Sequence, residues 1–253
     1  MRIKLEIEYD GTMFCGWQRQ ENATSVQETI ENAIASLFNQ NERIEVYGAG
    51  RTDTGVHAMR QVAHFDIKSE RLEDRWRHNC HKLPRAINSY MLGRGVVITK
   101  AEEASNDFHA RFSAKMRTYR YLIYNRPVES VLHKNRAWNV SQILDVEKMN
   151  TAAMDLLGLH DFDAFRSSEC GAKNAIRSIS DIKVYKNEDF VVMDISAKSF
   201  LHNQVRITMG TLKEIGCGKL PESYIRILLD SRDRTKAGIT APPQGLYLMS
   251  VNY

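Results

Sequence analysis

The chain has 253 residues, 43% of them hydrophobic, and carries 35 Lys and Arg against 31 Asp and Glu, a net charge of +4. That length supports a substantial core and two fused subdomains, and the charge admits a polyanionic partner without requiring one. The four cysteines, Cys15, Cys80, Cys170 and Cys217, lie far apart with no Cys-x-x-Cys pair, which excludes a zinc ribbon and provides no disulfide framework.

At the start, Ile3, Leu5, Ile7 and Tyr9 alternate with Arg2, Lys4, Glu6 and Glu8, the pattern of a half-buried strand. No long apolar run precedes it, so the segment reads as a strand in a reducing cytoplasm and not as a signal peptide or membrane span. Ser25 and Glu28 have capping-box spacing ahead of Val26, Ile30, Ala33, Ile34 and Leu37, which predicts a helix. Strands follow over 44–47 and 61–67, a polar helix over 72–82 and a strand over 96–99. This β-α-β-β-α-β order is that of a ferredoxin-like unit. It repeats as a strand over 119–124, a helix over 146–157 with Asp145 as N-cap, strands over 176–185 and 190–197, and a helix over 205–215 stopped by Gly216 and Gly218. Pro221 opens a further helix, and a strand over 246–251 closes the chain. The expected fold class is therefore α+β, with two similar ferredoxin-like halves, 1–106 and 107–253.

Basic residues cluster twice, in the run Arg71, Arg75, Arg77, His78, His81, Lys82 and Arg85, and in Arg111, Lys115, Arg117 and Arg120. Either run reads equally as a solvated face or as a nucleic-acid contact. His78, Cys80 and His81 have no common metal-ligand spacing, and no metal site is expected. The strongest local signal is Gly48-Ala49-Gly50-Arg51-Thr52-Asp53-Thr54-Gly55-Val56-His57. Three glycines allow sharp turns and close approach of a ligand, and they flank a cation and a carboxylate. By spacing alone, a glycine-rich turn with Asp53 capping its own loop explains the segment as well. The ending of a phosphate-binding P-loop is absent.

Gly50-Arg51-Thr52-Asp53-x-Gly55-Val56-His57 resembles the catalytic motif of the bacterial tRNA pseudouridine synthase A family. Further stretches match that family in the same order: Tyr9-Asp10-Gly11 with Gly16-Trp17-Gln18-Arg19-Gln20, Asp107-Phe108-His109-Ala110-Arg111-Phe112-Ser113-Ala114, Tyr119-Arg120-Tyr121, Val205-Arg206, and Gly245-Leu246-Tyr247-Leu248. The resemblance spans essentially the whole chain. It departs at Asn79-Cys80-His81-Lys82-Leu83-Pro84, where only Leu83-Pro84 keeps the usual wording, and in a longer stretch from Arg85 to Asn106. These departures bear on the choice of RNA.

The resemblance implies a cofactor-free and metal-free isomerase that converts uridine to pseudouridine in tRNA, at positions 38, 39 and/or 40 of the anticodon arm. The reaction cleaves the base–ribose C–N bond, turns the uracil and rejoins it through carbon, with nothing oxidised or lost. By the same resemblance Asp53 is the catalytic carboxylate, as nucleophile or base, with Arg206 as its ion-pair partner. Tyr119 packs on the target uracil, Leu246 lines its pocket, and Arg51 fills the place vacated by the flipped nucleotide. Arg19, Arg111, Arg117 and Arg120 contact RNA. The family fold joins the two sheets of the halves around a basic cleft, and the expected assembly is a cytoplasmic homodimer without membrane contact. Two alternatives stay open: the same chemistry on ribosomal RNA or another tRNA site, and a non-catalytic RNA-binding protein of the same fold.

Overall fold

In the computed structural model, which describes residues 1–253, the alternation in β1 (Arg2–Tyr9) sends Ile3, Leu5, Ile7 and Tyr9 into the core. The helix α1 (Val26–Phe38) starts at Ser25, whose Oγ accepts the Glu28 N–H at 3.2 Å. It buries Val26, Ile30, Ala33, Ile34 and Phe38. β2 (Tyr47–Gly48) is only two residues long, and β3 (His57–Asp66) begins four residues before the stretch the alternation marks. The polar segment after β3 breaks into α2 (Glu70–Arg77), a single 3-10 turn and α3 (Leu83–Asn88), with Pro84 in the first turn of α3. β4 (Val96–Ala104) completes this part. β3 lies between β1 and β2, since Ala63 pairs with Leu5 on one side and Gly48 on the other, and β4 flanks β1. The spatial order β4-β1-β3-β2 is the split β-α-β arrangement expected.

The remainder supplies β5 (Met116–Tyr124), β6 (Trp138–Asn139), α4 (Val146–Met154), β7 (Gly158–Asp161), β8 (Ile176–Asn187) and β9 (Phe190–Ala197). α5 (Gln204–Gly216), α6 (Tyr224–Ser231) and β10 (Leu246–Asn252) follow. β5, β9, β8 and β7 pair antiparallel in that order, while β6 lies parallel to β5. Asp145 caps α4 by accepting the Lys148 N–H at 3.1 Å. β9 is nearly all apolar and buries Val191, Val192, Met193, Ile195 and Ala197. The fold is α+β, as expected.

Two compact units emerge, 1–115 with 248–253, and 116–247. The sequence-based division after Asn106 differs because 107–115 is bonded to the first unit. Arg2 Nη1 donates to the carbonyls of Asn106 and Phe108 (both 2.7 Å), the Ala110 N–H donates to His64 Nδ1 (3.2 Å), and the Lys115 N–H donates to Asn252 O (2.8 Å).

Two buried polar groups of the first unit are expected to contribute to its stability. Glu31, 1% exposed, accepts from Arg43 Nε (2.8 Å) and Nη2 (2.9 Å), Arg19 Nη1 (3.2 Å), Gln27 Nε2 (3.0 Å) and the Val46 N–H (3.1 Å). Glu31→Gln removes the charge and faces an amide N–H₂ toward donors. We expect a loss of ~2 kcal/mol in urea unfolding, below the full cost of breaking a buried pair because both arginines are partly solvated. An unchanged midpoint would show that the network is not holding α1 to β2.

His64 on β3 is 1% exposed and its pKa is lowered to about 4, first by burial and then by the neighbouring His109. Its Nδ1 accepts the Ala110 N–H, which requires the neutral ring. Between about 6.5 and about 4 the unfolded chain therefore binds a proton that the folded chain refuses. Stability is whole above that window and falls as the pH drops through it, by up to ~3 kcal/mol from this group. His64→Gln flattens the difference in unfolding free energy between pH 7 and pH 4.5; an unaltered slope assigns the acid sensitivity elsewhere.

Candidate active site

Asp53 lies in the loop between β2 and β3, half-buried, with Thr52 buried before it and Val56 and His57 buried after it. The segment 9–17 grips this loop from several directions. Tyr9 Oη and Thr52 Oγ1 share a hydrogen bond of 2.8 Å, the Trp17 N–H donates to Thr52 O at 3.0 Å, and the Gly11 N–H donates to His57 Nδ1 at 3.0 Å. The Asp53 carbonyl accepts the Val56 N–H at 3.1 Å, closing a tight turn through Gly55, whose φ of 79° lies in the left-handed region. Close approach demands glycine in the gripping segment. A Cβ on Gly11 would lie 2.1 Å from Val56 O, and one on Gly16 (φ 83°) 2.6 Å from Thr52 O. Trp17 is 2% exposed and packs near Tyr9, with ring centroids 6.1 Å apart. The result is a carboxylate on a loop with little freedom to relax, as a reacting group requires.

In the second unit, Arg206 sits in the first turn of α5. Its Nε donates to Ala241 O (2.7 Å) and its Nη1 to Asn203 Oδ1 (2.8 Å), which fixes the plane of the guanidinium. Asn203 holds the left-handed conformation (φ 63°) ahead of the helix. The loop 237–245 lies directly against α5: a Cβ on Gly210 would be 1.8 Å from Ile239 O, and one on Gly238 2.6 Å from Gly210 C. Tyr121, its hydroxyl donating to Pro242 O at 2.6 Å, packs where a Cβ on Gly245 would be 2.6 Å from its ring. Burial pushes the Tyr121 phenol up and nearby Arg206 opposes that shift. Tyr119 is 8% exposed and meets Phe200 edge-on, with centroids 5.3 Å apart; Leu246 is 6% exposed at the start of β10.

The remaining sequence candidates fall in different surroundings. Arg51 is exposed beside Asp53. Arg19 is ion-paired with Glu28 (3.4 Å) and Glu31 (3.2 Å), and its backbone N–H donates to Gln27 Oε1. Arg111 is exposed with its guanidinium 5.8 Å from the Phe112 centroid, and Arg117 donates to Lys198 O. Strand alternation puts Arg117 on the face of β5 that carries Tyr119, and Arg120 on the opposite face. There Arg120 makes a bidentate pair with Asp194 (2.7 and 2.9 Å), which holds its pKa above the ordinary arginine value. Cys80 Sγ donates to Trp76 O, and burial pushes that thiol up. No cluster of three or more His, Cys, Asp or Glu is arranged to hold a metal ion.

Sequence reasoning assigned no role to Gly11, Gly16, Thr52, Asn203 or Gly210. Glycine placement signals the first two, in the loop ahead of α1. Nothing in local sequence signals that Gly210, mid-helix, receives a distant loop.

A family model described as tRNA pseudouridine synthase matches residues 6–113 and 152–253. Over 251 residues, 99% of each chain, this one is 44% identical to tRNA pseudouridine synthase A of Thermoanaerobacter sp. (strain X514) and 46% identical to the one of Acetivibrio thermocellus. It is 45% identical to that of Anaplasma phagocytophilum over 255 residues, the whole of both chains.

Proposed function

Because this chain belongs to the tRNA pseudouridine synthase family, we propose that it is the isomerase that converts uridine to pseudouridine at positions 38, 39 and/or 40 of the anticodon arm of tRNA. The observation that carries the reading is the match of the family model across both motif-bearing segments, 6–113 with Asp53 and 152–253 with Arg206. The clamp of glycine contacts and hydrogen bonds on the Asp53 loop supports it, since a reacting carboxylate must be held against its target.

In this reading Asp53 acts at the ribose of the flipped uridine and works only while ionised. Arg206 supplies the counter-charge that favours that form. Tyr119 stacks on the uracil and Leu246 lines its pocket. Arg51 takes the vacated place in the RNA, which offsets part of the unstacking cost. Arg111 and Arg117 contact the phosphate backbone. Arg19 and Arg120 reach RNA only by exchanging their carboxylate partners for phosphate, so they contribute least. We propose that the enzyme works in the cytoplasm as a homodimer. No helix is long and apolar enough to cross a membrane.

The test is incubation of purified protein with unmodified tRNA transcripts, without added metal or cofactor, followed by pseudouridine mapping. The expected product lies on the 3′ side of the anticodon arm. Modification confined to another tRNA site or to ribosomal RNA would retain the chemistry and overturn the target.

A further inference from the structure

A turn over 105–113 presents an aromatic ring that the reading above leaves unused. Phe112 is 76% exposed, yet the backbone beneath it is held firmly. The Ser113 N–H donates to His109 O (2.9 Å), the His109 N–H to Ser113 Oγ (3.0 Å), and Tyr253 Oη to Ala110 O (2.8 Å). Phe112 is the outer member of a row of rings. It lies 4.4 Å from His109, which meets His64 edge-on at 4.7 Å, and His64 stacks under Tyr47 at 5.1 Å and 21°. Tyr47 is itself 40% exposed. Burial lowers the pKa of both imidazoles, so the row is neutral at neutral pH. The Arg111 guanidinium, 5.8 Å from the Phe112 centroid, supplies the positive charge.

We propose that Phe112, with Arg111 beside it, is a stacking platform for an unpaired base of the RNA substrate other than the reacting uridine. The inference rests on the reading that the substrate is RNA. A rigid ring with an adjoining guanidinium suits a base with its phosphate, and stacking accepts any base because each has a π-face. The location separates this contact from the reaction: Phe112 packs on His109, which meets His64, and His64 lies seven strand residues along β3 from His57 at the Asp53 loop, roughly 24 Å at about 3.4 Å per residue. One nucleotide cannot reach both. A protein partner is disfavoured because two partly exposed rings offer far less than the ~800 Å² each side of a stable interface needs.

The experiment measures Kd for an unmodified tRNA transcript at fixed salt with the full chain, Phe112→Ala and Phe112→Trp. Phe112→Ala is expected to bind about tenfold more weakly, and Phe112→Trp to restore affinity with its emission quenched by RNA. An unchanged Kd for Phe112→Ala overturns the proposal. So does a lower solution mass of that variant without RNA at undiminished tRNA affinity, which assigns the ring to contact between copies of the chain. Weakened binding by the variant alongside a wild type that does not isomerise would sink the catalytic reading and spare this one. Normal isomerisation with unchanged binding does the reverse.

Discussion

Asp53→Asn is expected to lower pseudouridine formation at least ~10³-fold, the scale of losing one positioned acid–base or nucleophilic group. The amide is nearly isosteric, so the loop contacts through Thr52 O, Asp53 O and His57 Nδ1 are all retained and the fold is expected to be intact. What is lost is the negative charge, and with it both roles open to the side chain, attack on the sugar and removal of a sugar proton. In the proposed reading RNA affinity comes from arginines and aromatic rings elsewhere, so it is expected to stay within a few-fold of wild type. A purified variant that binds tRNA and still turns over would remove Asp53 from the mechanism.

Gly11→Ala is expected to damage catalysis from outside the reacting group. Its new methyl would sit 2.1 Å from Val56 O, 2.6 Å from Val56 C and 2.9 Å from Val56 N, all backbone atoms. Neither side has a flexible end that could yield, so the 52–57 turn must shift. A displacement near 1 Å at a reacting group costs on the order of 10²-fold in rate, and forcing the backbone apart costs roughly 1–3 kcal/mol of stability. Gly171→Ala is the control, since a Cβ there meets nothing within 4 Å. The informative comparison is kcat against tRNA affinity. Loss confined to kcat indicates a displaced turn, whereas equal loss of both indicates general unfolding.

Most of the architecture was legible where one local rule decided the element. Alternation marked β1, an almost unbroken apolar run marked β9 to the residue, and Ser25 and Asp145 marked the starts of their helices through bonds the structure contains. The elements missed were decided by partners distant in sequence. β4 continues through Lys100, Glu102 and Glu103 because β1 lies beside it and Lys4 pairs with Glu102 at 3.0 Å. β6 and β7 are too short to show periodicity. The polar helix over 72–82 ends early: the His78 N–H bonds back to Trp76 O, and a 3-10 turn separates α2 from α3, which carries Pro84 in its first turn.

The site was legible as wording more than as physics. Composition and spacing left Asp53 balanced between a turn cap and a reacting acid, and only the resemblance in wording separated them. Three dimensions add that Gly11 and Gly16 allow the segment 9–17 to close on the loop, a constraint on Asp53 that local spacing does not reveal. Arg120 shows how wording can hide placement. It sits in a motif beside Tyr119, but strand alternation turns it to the other face, against Asp194.

Forming the carbon–carbon link at C5 of uracil expels the hydrogen from that carbon, so tRNA transcribed with 5-tritiated uridine reports the reaction as tritium released to water. The account predicts release by the wild-type chain, stoichiometric with anticodon-arm sites, and none above background from Asp53→Asn at equal bound tRNA. Equal release from both proteins, or none from either while tRNA is bound, would contradict it.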